Sequence, residues 1–247
     1  MHSSKPTEIA ARLERELRAG ANPERAVAEK KYLKSDLEFY GVSMGAIREI
    51  VEAFLRGQVS ITHQDLIELV KELWSRPNFE RRMTAVILLD SCPAVLSTRD
   101  IPVIEQFIRA SKTWALVDGL AVNVAGELVL RHPAVLQKLD RWAADSDFWI
   151  RRSLLLAHLK LLREGEGFPS VCRHADSMLA EKEFFIRKAI GWVLREVAKR
   201  NPKEVFDWLA PRTHVSSGVT VREATKYLNA GQRDRLMTAY NEKRPAI

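Results

Sequence analysis

The 247-residue chain is 46% hydrophobic and 29% charged, enough apolar material for a sizeable core and a composition that excludes a disordered chain. Its formal net charge of +7 favours acidic partners, with nucleic acid first and an anionic membrane surface second. No stretch approaches the ~20 apolar residues of a membrane span. No apolar signal core follows Met1-His2-Ser3-Ser4-Lys5-Pro6. Cys92 and Cys172 lie far apart without CxxC spacing and the histidines form no HxxxH pair. Reduced thiols in a cytoplasmic protein, with no metal and no cofactor, are the expectation.

Residues 7–19 carry a helical apolar spacing (Ile9, Ala10, Leu13, Leu17) that Gly20 and Asn22-Pro23 end. Pro23 suits the first turn of a second helix over residues 24–33, whose cations Lys30, Lys31 and Lys34 suit a C-terminus. Ser43 is placed to cap a helix over 44–56, and Thr62 another over 63–74.

From there the pattern repeats. Helices begin at Phe79, near Trp114, at Phe148, at Phe184 and near Val221. Arg81, Leu116, Arg151, Arg187 and Arg222 mark the copies at intervals of 35, 35, 36 and 35 residues. Between them lie first helices over 101–110, 133–144, 168–180 and 202–208. A period in the mid-thirties built only of helices means stacked helix pairs, each too amphipathic to bury its face alone. The expectation is an all-α, HEAT-like helical-repeat solenoid with a concave basic face. It forms one domain over 1–247: an N-terminal hairpin at 1–30, repeats over 31–230 and a C-terminal tail at 231–247.

Within that frame Trp114-Ala115-Leu116-Val117-Asp118 stands apart. The apolar run continues through Leu120, Ala121, Val122, Val124 and Leu128, so Asp118 needs a partner, a cleft or a use. The frame aligns it with Met83, Ser153, Ala189 and Ala224, none charged, and aligns Val117 with Arg82, Arg152, Lys188 and Glu223. A solvated structural acid is the ordinary alternative to a functional one.

Second helices of stacked pairs often line one face, so Arg82, Arg152, Arg187, Lys188 and Arg195 form a candidate stripe for phosphates, with Lys112 beside Trp114. The alternative is a set of solvated or paired cations, such as Glu183 with Arg187 at i, i+4. Trp142 and Trp208 read as core. Trp114, Trp149 and Trp192 sit on second helices, where indole faces beside cations suit nucleobases, although core is the plainer reading of Trp149. His158 and His174 read as structural.

These residues, in order, resemble the AlkD-type DNA glycosylases of the DNA alkylation repair family. The pieces are Trp114-x-x-x-Asp118, Arg131-His132-Pro133, Trp149-Ile150-Arg151-Arg152, and the run from Glu183 to Glu196 that contains Phe185-Ile186-Arg187-Lys188-Ala189-Ile190-Gly191-Trp192. The resemblance covers about Lys31 to Tyr227. It implies a HEAT-like enzyme that grips double-stranded DNA and excises positively charged N3- or N7-alkylated purines, without a closed pocket for a flipped base. It assigns catalysis to Asp118, with Trp114, Trp192 and Arg152 around it, and DNA contact to Tyr32, Phe185 and Arg195. The family commonly reads Trp-Trp-Asp-x-Val-Asp, and this chain departs from it at Thr113 and Ala115.

The chemistry agrees with the residues. A purine alkylated at N3 or N7 leaves as a neutral base, so no general acid is required. A carboxylate supports the developing oxocarbenium and orients water. A monofunctional glycosylase, monomeric and acting on alkylated duplex DNA at the nucleoid, is the expected function. A non-catalytic DNA-binding relative and a protein-binding scaffold are the alternatives.

Overall fold

The computed structural model describes residues 6–58 and 60–242. The opening Met1–Lys5 segment and the last five residues of the expected tail lie outside the described residues. Among these the architecture is helical, with a single isolated bridge between Glu38 and Asn78 in place of any strand. No helix among the described residues is long and apolar enough to cross a membrane.

The helices are α1 (Pro6–Ala19), α2 (Pro23–Leu33), α3 (Met44–Arg56), α4 (His63–Trp74), α5 (Phe79–Ser91) and α6 (Ile101–Ala110). A helical run follows: α7 (Trp114–Asp118), a π-helical stretch (Gly119–Ala125) and α8 (Gly126–Arg131). Then come α9 (Val135–Leu139), α10 (Phe148–Ala157), α11 (Leu159–Glu164), α12 (Phe168–Met178), α13 (Phe184–Ala198), α14 (Pro202–Leu209), α15 (Gly218–Ala224) and α16 (Ala230–Glu242). Ser43 and Thr62 cap α3 and α4 through their hydroxyls, as their positions predict. The expected tail is helical through Glu242, and the second helix of the N-terminal hairpin runs to Leu33. The chain divides into two compact units, one ending at Val124 and the other beginning at Ala125.

The repeat is set by the caps of the second helices. In each, the N-cap carbonyl accepts from the backbone N–H four residues on: Asn78 from Arg82, Thr113 from Val117, Asp147 from Arg151, Glu183 from Arg187 and Ser217 from Val221, at 3.0–3.2 Å. This register corrects the sequence alignment. Counted from the caps, Asp118 matches Met83, Arg152, Lys188 and Arg222 rather than Met83, Ser153, Ala189 and Ala224. Trp114 likewise matches Phe79, Phe148, Phe184 and Gly218. An alignment made on arginine identity slips because Arg81, Arg151, Arg187 and Arg222 stand at different distances past their caps Asn78, Asp147, Glu183 and Ser217.

The caps also explain the recurring arginine. Four residues past its cap, Arg82 donates Nε to the Arg76 carbonyl (3.3 Å), Arg151 donates Nη1 to Asp145 (2.6 Å), and Arg187 donates Nε to Glu181 (2.7 Å). Each acceptor lies two residues before the cap, so the guanidinium clasps the corner between paired helices; the Arg76 carbonyl also accepts from Asn78 N–H at 2.9 Å. At the central corner and at the corner before α15 the residues in that position are Val117 and Val221, both fully buried.

In the first unit, buried Glu80 at the start of α5 accepts from the backbone N–H groups of Tyr40, Gly41 and Val42 at 3.0, 2.6 and 3.3 Å. Burial pushes its carboxyl above the ordinary value even against those donors. Gly41 has a φ of +79°, and a Cβ there would lie 2.1 Å from the Asn22 carbonyl oxygen, so only glycine fits. Asn22 N–H in turn reaches the Tyr40 carbonyl (2.9 Å) and its side chain caps α2. The start of α2, and with it the line of the helix that carries Tyr32, is therefore pinned to α5.

Candidate functional site

Trp114 and Asp118 open and close α7, one turn apart on the same face, and both are half-buried. Two neighbours set their surroundings. Tyr32, 72% exposed at the end of α2, sets its ring edge-on to Trp114, with centroids 5.8 Å apart and planes at 81°. Gly119 lets α5 approach, since a Cβ there would lie 2.8 Å from Val86 Cγ1. The first unit thus sets Tyr32 against Trp114, which stands one helical turn from Asp118. Leu116, Val117, Leu120 and Ala121 are fully buried around them.

The approach to α7 is unlike that to the other second helices. Lys112 is exposed and holds a left-handed backbone, φ +56°, which a non-glycine residue adopts only at a cost of about 1 kcal/mol or more. Thr113 stands at the cap but its side chain makes no capping bond, and its buried hydroxyl has no partner among the described residues. Beyond Asp118 the helix widens into the π-helical stretch, a geometry found often at functional sites and invisible in a nearly continuous apolar run.

In the second unit, Arg152 is 3% exposed. Its Nη1 donates to the Phe185 carbonyl (2.6 Å) and its guanidinium lies 5.7 Å from the Phe185 ring. Phe185 also meets Trp149 and Phe148, at 4.7 and 6.1 Å between centroids, so Trp149 belongs to a half-buried aromatic cluster. Along α13, Phe185, Lys188, Trp192 and Arg195 follow at intervals of three and four residues and share one face. Phe185, Trp192 and Arg195 are half-buried and Lys188 is exposed.

Two expected phosphate ligands are spent otherwise. Arg82 is 8% exposed and its guanidinium bonds the Arg76 and Ala110 carbonyls, while burial lowers its pKa. Arg187 clasps the Glu181 carbonyl instead of pairing with Glu183, whose carboxylate accepts from Phe185 N–H and caps α13. Arg195 is paired with Glu223 on α15. Burial pushes the Glu223 carboxyl up, but the Lys226 hydrogen bond and the charges of Arg195, Lys226 and Lys188 outweigh it and hold the group below the usual value. Sequence reasoning passed over Glu223; the signal for it is Gly191, at which a Cβ would lie 2.5 Å from Glu223 Cβ, marking where α15 comes close to α13.

Trp142 and Trp208 are core, as predicted. His158 and His174 are buried; His158 bonds the Leu154 carbonyl and His174 bonds Asp140. Both cysteines are free. Among the described residues no three histidine, cysteine or carboxylate side chains gather to hold a metal.

Comparison with known proteins gives this arrangement its context. Among solved structures, one described as a predicted DNA alkylation repair enzyme from Enterococcus faecalis matches with a TM-score of 0.77 at 24% identity, over 85% of this chain and 97% of that one. AlkD2 from Streptococcus mutans matches with a TM-score of 0.64 at 15% identity, over 92% of this chain and 100% of that one. The Pseudomonas fluorescens alkylpurine DNA glycosylase AlkC, bound to DNA containing an abasic site analog, gives a TM-score of 0.50 at 15% identity, over 96% of this chain and 69% of that one. These likenesses establish the helical-repeat fold. A search of curated proteins returned no match. The sequence model of the DNA alkylation repair enzyme family matches residues 13–228, nearly the whole chain, and the protein belongs to that family.

Proposed function

We propose that this protein is a monofunctional DNA glycosylase that hydrolyses the N-glycosidic bond of positively charged N3- or N7-alkylated purines in duplex DNA, with Asp118 as its catalytic carboxylate. The observation that carries the reading is the reversal of charge at one register position. Five residues past the cap, the three later repeats place Arg152, Lys188 and Arg222, and the central repeat places an acid one helical turn from Trp114, whose ring meets Tyr32.

A cationic base departs neutral, so the barrier lies in charge that migrates onto the sugar. A carboxylate among buried aliphatic residues stabilises that charge more strongly than one in bulk water and orients the attacking water. The faces of Trp114 and Tyr32 attract a cationic base or sugar by about 0.5–2 kcal/mol each. Arg152, its guanidinium fixed by the Phe185 carbonyl, serves the DNA backbone. Trp192, Phe185, Lys188 and Lys112 complete the DNA contacts. Recognition through exposed rings needs no enclosed pocket, so the base is attacked without flipping and bulky adducts are admitted. The protein acts as a monomer at the nucleoid.

The test is single-turnover release of 7-methylguanine and 3-methyladenine from duplex DNA. Asp118→Asn is expected to slow release by about 10²–10³-fold, the usual cost of losing one preorganised electrostatic group. Absence of release by the wild type on every N3- and N7-alkylated duplex overturns the reading. Tight duplex binding without release would identify the non-catalytic alternative, to which the departures at Thr113 and Ala115 point.

A further inference from the structure

The exposed face of α13 continues beyond Arg195. Lys188, Trp192, Arg195 and Lys199 recur at intervals of four, three and four residues, a stripe on the order of 16 Å long. Where it meets α15 and the turn after it, Lys199 Nζ, paired with Glu196 at 3.0 Å, lies 5.8 Å from the Tyr227 ring, which is 53% exposed. Lys226 Nζ lies 2.9 Å from Glu223 Oε1, and Arg195 Nη1 meets the other oxygen of the same carboxylate. Glu223 therefore holds cations from two elements, and it reaches them because Gly191 leaves room for its Cβ.

We propose that Arg195 and Lys226, flanked by Tyr227 and Lys199, form a backbone-phosphate subsite for duplex DNA whose phosphate position is occupied in the free protein by the Glu223 carboxylate. The inference rests on the reading that DNA is the partner, and adds a subsite that works on undamaged DNA. A carboxylate and a phosphate present similar paired oxygens to arginine and lysine, so one replaces the other at the same donors. The pairs are partly solvated, and such ion pairs exchange at little cost. Glu223 then acts as a brake on non-specific affinity: a phosphate must displace it, and its charge repels phosphates that do not. The same cations without Glu223 would hold every stretch of duplex more firmly and release it more slowly.

The experiment is fluorescence anisotropy of an undamaged duplex against the full chain over a range of salt, with thermal melting of each variant. Glu223→Gln is expected to bind about 3–10-fold tighter near 0.1 M salt, with a salt slope steeper by about one. Lys199→Ala with Lys226→Ala is expected to bind about 3–10-fold more weakly, with a slope shallower by up to about two. A folded Glu223→Gln protein that binds no tighter than the wild type overturns the proposal. If that variant does not fold, an unchanged salt slope in the lysine pair overturns it. Failure of the wild type to bind duplex at all removes the DNA reading itself. Base release by the wild type with unchanged binding by both variants removes only the subsite.

Discussion

The corner before α13 and the corner before α7 are built to one plan and used differently. Before α13, Glu183 caps with its side chain, Arg187 returns to the Glu181 carbonyl and Lys188 reaches solvent. Before α7, Thr113 caps with its carbonyl alone, Val117 is buried in the arginine's place, Asp118 stands where the lysine does, and Lys112 takes a left-handed backbone. The first corner is satisfied and closed by its own residues. The second has given up its clasp, and the position that elsewhere carries a cation carries the acid proposed for chemistry. Val221 fills the arginine's place before α15 as well, so two corners lack the clasp, and it is the acid that sets the central one apart.

The contrast can be broken most severely by forcing the clasp on the central corner. Val117 is fully buried, so Val117→Arg buries a guanidinium where the chain has packed aliphatic groups. A loss of about 3–5 kcal/mol in urea unfolding is expected. A loss under 1 kcal/mol would mean that the central corner accepts the clasp and that its absence is incidental.

Acid separates a corner held by charge from a helix end held by a neutral ring. His158 at the end of α10 is buried, and burial lowers its pKa to about 4. Above about pH 6.5 it is neutral folded and unfolded and costs nothing. As pH falls below 6.5 the unfolded chain takes up the proton first, so stability declines until about pH 4, by about 3 kcal/mol. His158→Asn should remove most of that decline in unfolding measured from pH 7 to pH 4; an undiminished decline would assign it to other groups.

The converse exchange, Arg187→Val, gives the α13 corner the residue of the central one. It leaves the Glu181 carbonyl without its charged donor, and a loss of about 1.5–3 kcal/mol is expected in the same assay. Smallest is Lys112→Gly, which relieves the left-handed backbone and is expected to leave stability within about 1 kcal/mol of the wild type or above it. Affinity for duplex should fall through the lost cation, so stability and binding move apart in a titration beside a melt.

Much of the helical frame was legible because apolar spacing and capping residues are local signals. Ser43, Thr62 and Phe79 mark their helix starts within the sequence itself. Trp114 and Asp118 stood out because an acid in an apolar run needs a reason. The register of the later copies was not legible, because arginine occurs both at the clasp (Arg151) and one residue beyond it (Arg152), and composition does not distinguish them. The use of Arg82 on carbonyls was hidden for the same reason: a buried and a solvated arginine look alike until the partners are known. The π-helical stretch left no trace, since Gly119 to Ala125 is apolar in nearly every phase.

The clasps also bear on how the chain reaches its fold. Each joins residues only six apart, so closing it costs little loop entropy, and a corner can settle before its helices find distant neighbours. Corners that close early give stacking a set of preformed hairpins to add to one another. The corners before α7 and α15 lack that local instruction, and their geometry answers to the helices packed around them.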